Sequence, residues 1–130
     1  MENQKETKKK VLIVDDDHFL LGMYSLKFQN SGYDVESVTN AKDALEKLKS
    51  DVKYNAVIFD IVMPAMDGFQ FMEAVNSENL LKKSKFIALT NQSQQTDIDR
   101  GKKLGVSGYI IKASTIPSEV VKEVVGIMNS

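Results

Sequence analysis

Two short runs in this chain are apolar at every position: Val-Leu-Ile-Val at residues 11–14 and Ala-Val-Ile-Phe at residues 56–59. A strand with one face in water alternates polar and apolar side chains, so a uniformly apolar strand is covered on both faces. Segments of helical period separate these runs from three further candidate strands. A parallel sheet with helices on both sides satisfies this pattern, and right-handed crossovers then predict an open, doubly wound five-stranded α/β domain.

The predicted elements alternate along the whole chain. We predict strands at 11–14, 33–38, 55–60, 85–90 and 108–112, and helices at 18–32, 40–50, 69–77, 94–104 and 116–129. Gly32 is predicted to stop the first helix and Asn40 to cap the start of the second. Pro117 suits the first turn of the last helix.

Length and composition narrow the classes of function. At 130 residues the chain is expected to form one domain, residues 11–130, after a flexible basic tail at residues 1–10. The absence of cysteine excludes disulfides and thiolate metal sites. A net charge of −1 gives no electrostatic reason to expect nucleic-acid binding, and no apolar run is long enough to insert into a membrane. With no secretory signal, a cytoplasmic protein is expected.

Polar residues with complementary chemistry follow four of the five predicted strands. In a parallel sheet the carboxyl ends of the strands share one edge, and ligands bind beyond that edge. The residues that reach it are Asp15, Asp16 and Asp17 after the first strand, Asp60 after the third, Thr90 at the end of the fourth and Lys112 at the end of the fifth. Acidic, hydroxyl and cationic groups are therefore expected to meet in one place.

These residue types suit a hard cation and a phosphoryl group. Mg²⁺ prefers oxygen ligands and keeps several waters, so Asp16 and Asp60 can bind it directly while Asp15 orients toward the ion or one of its waters. A carboxylate can also attack phosphorus, which makes Asp60 a candidate nucleophile. The Thr90 hydroxyl can donate to a phosphoryl oxygen, and Lys112 can offset the added negative charge.

In order and spacing, four motifs resemble the receiver domains of two-component response regulators, of which the chemotaxis-Y-like proteins are examples. The motifs are Val-Asp-Asp-Asp at 14–17, Phe-Asp-Ile-Val-Met-Pro-Ala-Met-Asp-Gly at 59–68, Ala-Leu-Thr at 88–90 and Gly-Tyr-Ile-Ile-Lys at 108–112. The resemblance covers residues 11 to 129. It implies a flavodoxin-like (βα)5 fold with strand order 2-1-3-4-5, and a phosphorylation-controlled switch rather than a conventional enzyme.

The resemblance also implies roles for individual residues. Asp60 corresponds to the phosphoacceptor, which receives its phosphoryl group from a sensor histidine kinase or a histidine phosphotransfer protein. The Mg²⁺ ligands fall on Asp15, Asp16, Asp60 and the backbone carbonyl of Val62. Thr90 and Lys112 assist the transfer, and Thr90 and Tyr109 form the switch that alters the surface for a downstream effector protein or a fused output domain. Asp17 is interpreted as a helix N-cap, and His18 as an exposed residue at the start of a helix.

The chain departs from the family pattern at two positions. The family lysine is usually followed by proline, whereas Ala113 follows Lys112 here. A cis peptide before a residue other than proline costs about 2.5–4 kcal/mol, so this loop is expected to be trans. The residue after the family hydroxyl is usually small, whereas here it is Asn91, which is expected to narrow access to Asp60.

Three other functions remain open at this point. One is a receiver-like protein-interaction module that works without phosphorylation. Another is a phosphohydrolase of the haloacid-dehalogenase type, although that family places an aspartate where this chain has Val62. The last is a nucleotide or flavin binder, which requires a phosphate-binding loop after the first strand, where Asp15, Asp16 and Asp17 would repel phosphate unless a metal intervened.

Overall fold

A computed structural model describes residues 8–82 and 84–130, so residues 1–7 of the predicted tail lie outside the described part. All strand pairs are parallel, and the sheet order is β2-β1-β3-β4-β5. The strands are β1 (Lys10–Val14), β2 (Asp34–Val38), β3 (Ala56–Phe59), β4 (Lys85–Thr90) and β5 (Val106–Ile111). The predicted doubly wound α/β architecture and its strand order are confirmed.

Within the described part of the chain, five α-helices cover the two faces of this sheet. They are α1 (His18–Asn30), α2 (Ala41–Lys49), α3 (Gly68–Ser77), α4 (Gln95–Lys103) and α5 (Pro117–Met128). One core cluster joins α1 and α5 to one face, and a second joins α2 and α3 to the other. The apolar run 11–14 of β1 and the strand β3 contribute to both clusters, which is why their side chains do not alternate in polarity.

Local signals in the sequence set the helix ends. The Asp17 carboxylate accepts a hydrogen bond from the Leu20 N–H at 3.0 Å, which confirms its predicted role as the N-cap of α1. Asn40 caps α2 in the same way. Gly32 has a φ of 93°, a left-handed conformation that favours glycine just past a helix. Among the described residues, no helix has the length and apolarity needed to cross a membrane.

Most element bounds differ from the sequence prediction by one or two residues, and the differences in β1 and β5 lie on the strands that lead to the site. β1 begins at Lys10, which the prediction placed in the tail. β5 begins at Val106, two residues early, because Val106 pairs with Phe86 ahead of a register shift. The prediction placed Lys112 at the end of β5. In the structure β5 ends at Ile111, and Lys112 begins a one-turn 3₁₀ helix, Lys112–Ser114.

Candidate functional site

The two buried aspartates of the site each follow directly on a buried strand. The Asp15 N–H donates to the carbonyl of Val38, and the Asp60 N–H donates to the carbonyl of Val14. These bonds continue the sheet by one residue and anchor both backbones. Asp15 and Asp60 are buried, whereas Asp16 is exposed at the mouth of the same cleft. The structure thus brings the predicted strand-end residues to one edge.

Asp15, Asp16 and Asp60 form a cluster of carboxylates. One oxygen of each lies within 4.8 Å of an oxygen of the other two. Mg²⁺ takes its oxygens at about 2.1 Å, so its opposite ligands are about 4.2 Å apart. A small contraction would bring these oxygens into one coordination shell. The donor set, made only of oxygen, fits a hard divalent cation.

Lys112 bridges the two buried carboxylates. Its Nζ lies 2.7 Å from Oδ2 of Asp15 and 2.7 Å from Oδ2 of Asp60, and its side chain is only 11% exposed. Burial lowers the pKa of Lys112, but its contacts with the two carboxylates outweigh this effect and leave the pKa above its usual value. Burial raises the pKa of Asp15, and the contact with Lys112 opposes that rise only in part. The cleft therefore holds an ammonium ion that neutralises excess negative charge.

The remaining oxygens of these carboxylates are held by backbone N–H groups. Oδ1 of Asp15 accepts from the Asp17 N–H at 2.9 Å, and Oδ1 of Asp60 accepts from the Val62 N–H at 3.2 Å. An ionised carboxylate offers about four lone-pair sites, so each group keeps capacity for a further partner. Each carboxylate is thus oriented from both sides without being saturated.

Close packing of backbone against backbone shapes the segment after Asp60. A Cβ on Gly68 would lie 2.7 Å from both the Asp60 carbonyl oxygen and the Ile61 Cα. The Gly68 N–H also donates to the Ile61 carbonyl at 2.8 Å. Asp67 caps α3 through a reciprocal capping box with Gln70, so Asp67 and Gly68 both have structural roles at the start of this helix. The Val62 side chain points largely into solvent, being 60% exposed, while the residue lines the same cleft.

Gln92 connects the two residues predicted to form the switch. Thr90 is fully buried, and its hydroxyl accepts a hydrogen bond from the Gln92 N–H at 3.2 Å. The Tyr109 hydroxyl donates to the Gln92 carbonyl. Tyr109 is half-buried beside Gly101 of α4, and burial raises its pKa to about 12. Sequence reasoning did not single out Gln92, because a residue that acts through its backbone carries no side-chain signal.

Two further expectations concern the rim of the cleft. His18 is exposed and is the first residue of α1, as predicted. Asn91 and Ala113, the two departures from the family pattern, lie on facing loops and contact each other. No cis peptide bond occurs among residues 8–82 and 84–130, so the expected trans conformation of the Lys112–Ala113 peptide is confirmed.

Sheet order and cleft together define a flavodoxin-like domain with an acidic site at the carboxyl edge of its strands. The family model for the response regulator receiver domain matches residues 11–124. A probable chemotaxis protein CheY from Rhizobium etli is 34% identical over 84% of this chain and 84% of its own length. The chain belongs to the response regulator receiver family.

Solved structures agree with this assignment. The chemotaxis response regulator CheY4 of Vibrio cholerae superposes with a TM-score of 0.84 at 30% identity, covering 93% of this chain and 99% of that one. A CheY-like receiver domain protein from Methanospirillum hungatei gives a TM-score of 0.85 at 26% identity, covering 95% of each chain. The predicted family and fold are confirmed.

Some curated relatives are longer than this chain. The alkaline phosphatase synthesis transcriptional regulatory protein PhoP of Bacillus subtilis is 28% identical over 92% of this chain but only 48% of its own length. The response regulator SaeR of Staphylococcus aureus is 30% identical over 85% of this chain and 46% of its own length. The chain thus spans about half the length of these two relatives.

Proposed function

We propose that this domain accepts a phosphoryl group on Asp60 in a Mg²⁺-dependent reaction and thereby changes a protein-interaction surface. The observation that carries the proposal is the contact of Lys112 with Asp15 and Asp60 inside a cleft that also holds Asp16. Such an arrangement presents a nucleophilic carboxylate beside both a cation and a set of metal-binding oxygens.

The transfer needs only one nucleophile. A carboxylate oxygen of Asp60 attacks the phosphorus of a phosphohistidine, the P–N bond breaks, and the imidazole leaves with the bonding electrons and takes up a proton. The product is an acyl phosphate on Asp60, which water later hydrolyses. The Val62 N–H already holds one oxygen of Asp60, which fixes the carboxylate during the attack.

Charge neutralisation is the main demand of this step. Asp15, Asp16 and Asp60, with the backbone carbonyl of Val62, would hold Mg²⁺, which when bound supplies positive charge to the transferring phosphoryl oxygens. Lys112 can contact the incoming phosphoryl while it remains beside Asp60. The Thr90 hydroxyl can donate a hydrogen bond to a phosphoryl oxygen.

Exposed apolar side chains on three segments next to the site provide a surface to which a protein phosphodonor can bind. Phe19 in the first turn of α1 is 77% exposed, and Val62 and Ile116 are also exposed. Val62 follows Asp60, and Ile116 lies just beyond the 3₁₀ turn that begins at Lys112. Exposed large apolar residues on segments beside a site suit contact with a protein partner. We assign that partner as a histidine kinase or a histidine phosphotransfer protein.

The output step rests on Thr90 and Tyr109. A phosphoryl group on Asp60 adds up to about two negative charges and three acceptor oxygens, which attract the Thr90 hydroxyl. The movement of Thr90 opens space beside β4, and Tyr109, which contacts Gln92, changes its side-chain position in response. The surface formed by α4, β5 and α5 then changes shape and binds a downstream effector or a fused output domain. Spectra recorded with and without beryllofluoride test this coupling, and unchanged Thr90 and Tyr109 signals in a fully occupied sample would refute it.

The deciding experiment is phosphorylation by acetyl phosphate with Mg²⁺, followed by intact-mass spectrometry. We expect the wild-type chain to gain one phosphoryl group and Asp60→Asn to gain none, because an amide cannot form an acyl phosphate. Asp51→Asn, at an exposed position between α2 and β3, is the matched control and should react like the wild type. A wild-type chain that never reacts would favour the phosphorylation-independent interaction module.

A further inference from the structure

The two positions at which this chain departs from the family pattern are joined by a hydrogen bond. Oδ1 of Asn91 accepts from the Ala113 N–H at 2.7 Å, across 22 residues of sequence. A proline at position 113, which is usual in the family, has no N–H and could not make this contact. The asparagine at 91 and the amide at 113 therefore form a matched pair.

This bond satisfies a backbone donor that the local structure leaves unpaired. Ala113 lies in the first turn of the 3₁₀ helix Lys112–Ser114, where N–H groups have no acceptor within the helix. The residue before that helix, Ile111, makes no side-chain cap. Asn91 supplies the missing acceptor from the neighbouring loop.

The bond also fixes the relation between two functional loops. Thr90 is the residue before Asn91 and pairs with Ile111 in the sheet, while Lys112 is the residue before Ala113. The contact between Asn91 and Ala113 thus links the loop that carries Thr90 to the turn that carries Lys112. Asn91 and Lys112 line the same cleft as Asp60.

We propose that Asn91 is a positioning residue whose contact with Ala113 holds the 3₁₀ turn so that the Lys112 ammonium stays on Asp60. Through this bond the Asn91 side chain restrains the loop at the Ala113 backbone. The role in phosphotransfer rests on the proposed function, but the restraint itself does not, since it is a property of the chain without any phosphoryl group.

The first test measures the restraint directly in the unphosphorylated protein. Ala113 is exposed, so its amide should exchange quickly with solvent unless Asn91 holds it. In Asn91→Ala we expect Ala113 amide exchange measured by NMR to accelerate about fivefold, the change that a hydrogen bond of ordinary net strength supports. Asn91→Asp keeps an acceptor oxygen and should retain the protection. The matched control Ser93→Ala, exposed on the same loop, should leave the Ala113 amide unchanged.

The second test is a double-mutant cycle on the rate of phosphorylation by acetyl phosphate. Asn91→Ala should slow the reaction severalfold in the wild-type background but have no further effect in Ala113→Pro, which already lacks the donor. The Lys112 ammonium signal in ¹⁵N spectra should exchange faster in Asn91→Ala, which a purely structural role elsewhere in the fold would not produce.

The outcomes separate this inference from the proposed function. Equal slowing by Asn91→Ala in both backgrounds, or an Ala113 amide that exchanges equally fast in the wild type and in Asn91→Ala, overturns the positioning role. A wild-type chain that takes no phosphoryl group but shows the protected Ala113 amide and the Lys112 signature overturns the proposed function and leaves the restraint standing.

Discussion

Replacing Lys112 with methionine should destabilise the domain because it leaves two buried carboxylates without a countercharge. Oxygens of Asp15 and Asp60 lie within 4.8 Å of each other. Two unit charges about 5 Å apart repel by about 3 kcal/mol at an effective dielectric constant of about 20. Removing one partner of a buried ion pair costs about 3–5 kcal/mol. This cost arises from the same uncompensated charge as the repulsion, so the two energies are not summed. We expect Lys112→Met to lose about 3 kcal/mol of unfolding free energy at pH 7 without divalent metal.

Urea unfolding followed by circular dichroism in the presence of EDTA measures this loss. Lys122→Met, at an exposed position of α5, is the matched control and should change the unfolding free energy by less than about 0.5 kcal/mol. Added Mg²⁺ should stabilise Lys112→Met more than the wild type, because a ligand that binds only the folded state shifts the unfolding equilibrium by mass action. A loss no larger than that of the control would refute the countercharge role of Lys112.

The pH dependence gives a second check on the same variant. Burial raises the pKa of Asp15 and Lys112 opposes this, so removing Lys112 should raise that pKa further. A carboxyl whose pKa is higher in the folded than in the unfolded chain gains folding stability as the pH falls through the folded pKa. The deficit of Lys112→Met relative to the wild type should therefore shrink as the pH is lowered from about 7 toward the ordinary carboxyl pKa of about 4. A deficit that grows over this range would contradict the argument.

Three further substitutions test the surroundings of the site. Gly68→Ala places a Cβ 2.7 Å from the Asp60 carbonyl oxygen and should cost about 1–3 kcal/mol in thermal unfolding, with slower phosphorylation of Asp60. Asp17→Ala removes the N-cap of α1 and should cost about 1 kcal/mol in urea unfolding, with little change in the Mg²⁺ titration of the Asp60 amide. Phe19→Ala should leave the reaction with acetyl phosphate unchanged but slow phosphotransfer from a purified histidine phosphotransfer protein. If the variant reacts as fast as the wild type with both donors, α1 does not belong to the docking surface.

The sequence predicts the fold well because the decisive signals are local. The apolar run at 11–14 can be satisfied only between two layers of helices, and Gly32 and Asn40 mark helix ends through their own backbone or side-chain chemistry. The acidic cluster of Asp15, Asp16 and Asp60 could also be predicted, because residues that follow neighbouring strands of a parallel sheet lie at the same edge of that sheet.

Contacts between loops could not be predicted in the same way. The bridge from Lys112 to Asp60 spans 52 residues, and the bond from Ala113 to Asn91 spans 22. Their geometry depends on how β5 ends, and the register shift beside Phe86 and the 3₁₀ turn after Ile111 have no periodic signal. The residue types were informative, but the pairing of those residues required the packed structure.

The two residues that follow Thr90, Asn91 and Gln92, connect its loop to β5 and to the turn after β5. Asn91 reaches Ala113, and the backbone of Gln92 contacts both the Thr90 hydroxyl and Tyr109. The Gln92 N–H uses a lone pair of the Thr90 oxygen and leaves its proton free for a phosphoryl oxygen. A hydrogen bond to a charged acceptor is about twice as strong as a neutral one, so Thr90 should move toward the phosphoryl group and carry the Gln92 backbone with it. Tyr109 would then be displaced through its own hydrogen bond, and the restraint at Asn91 would hold Lys112 in place while this occurs.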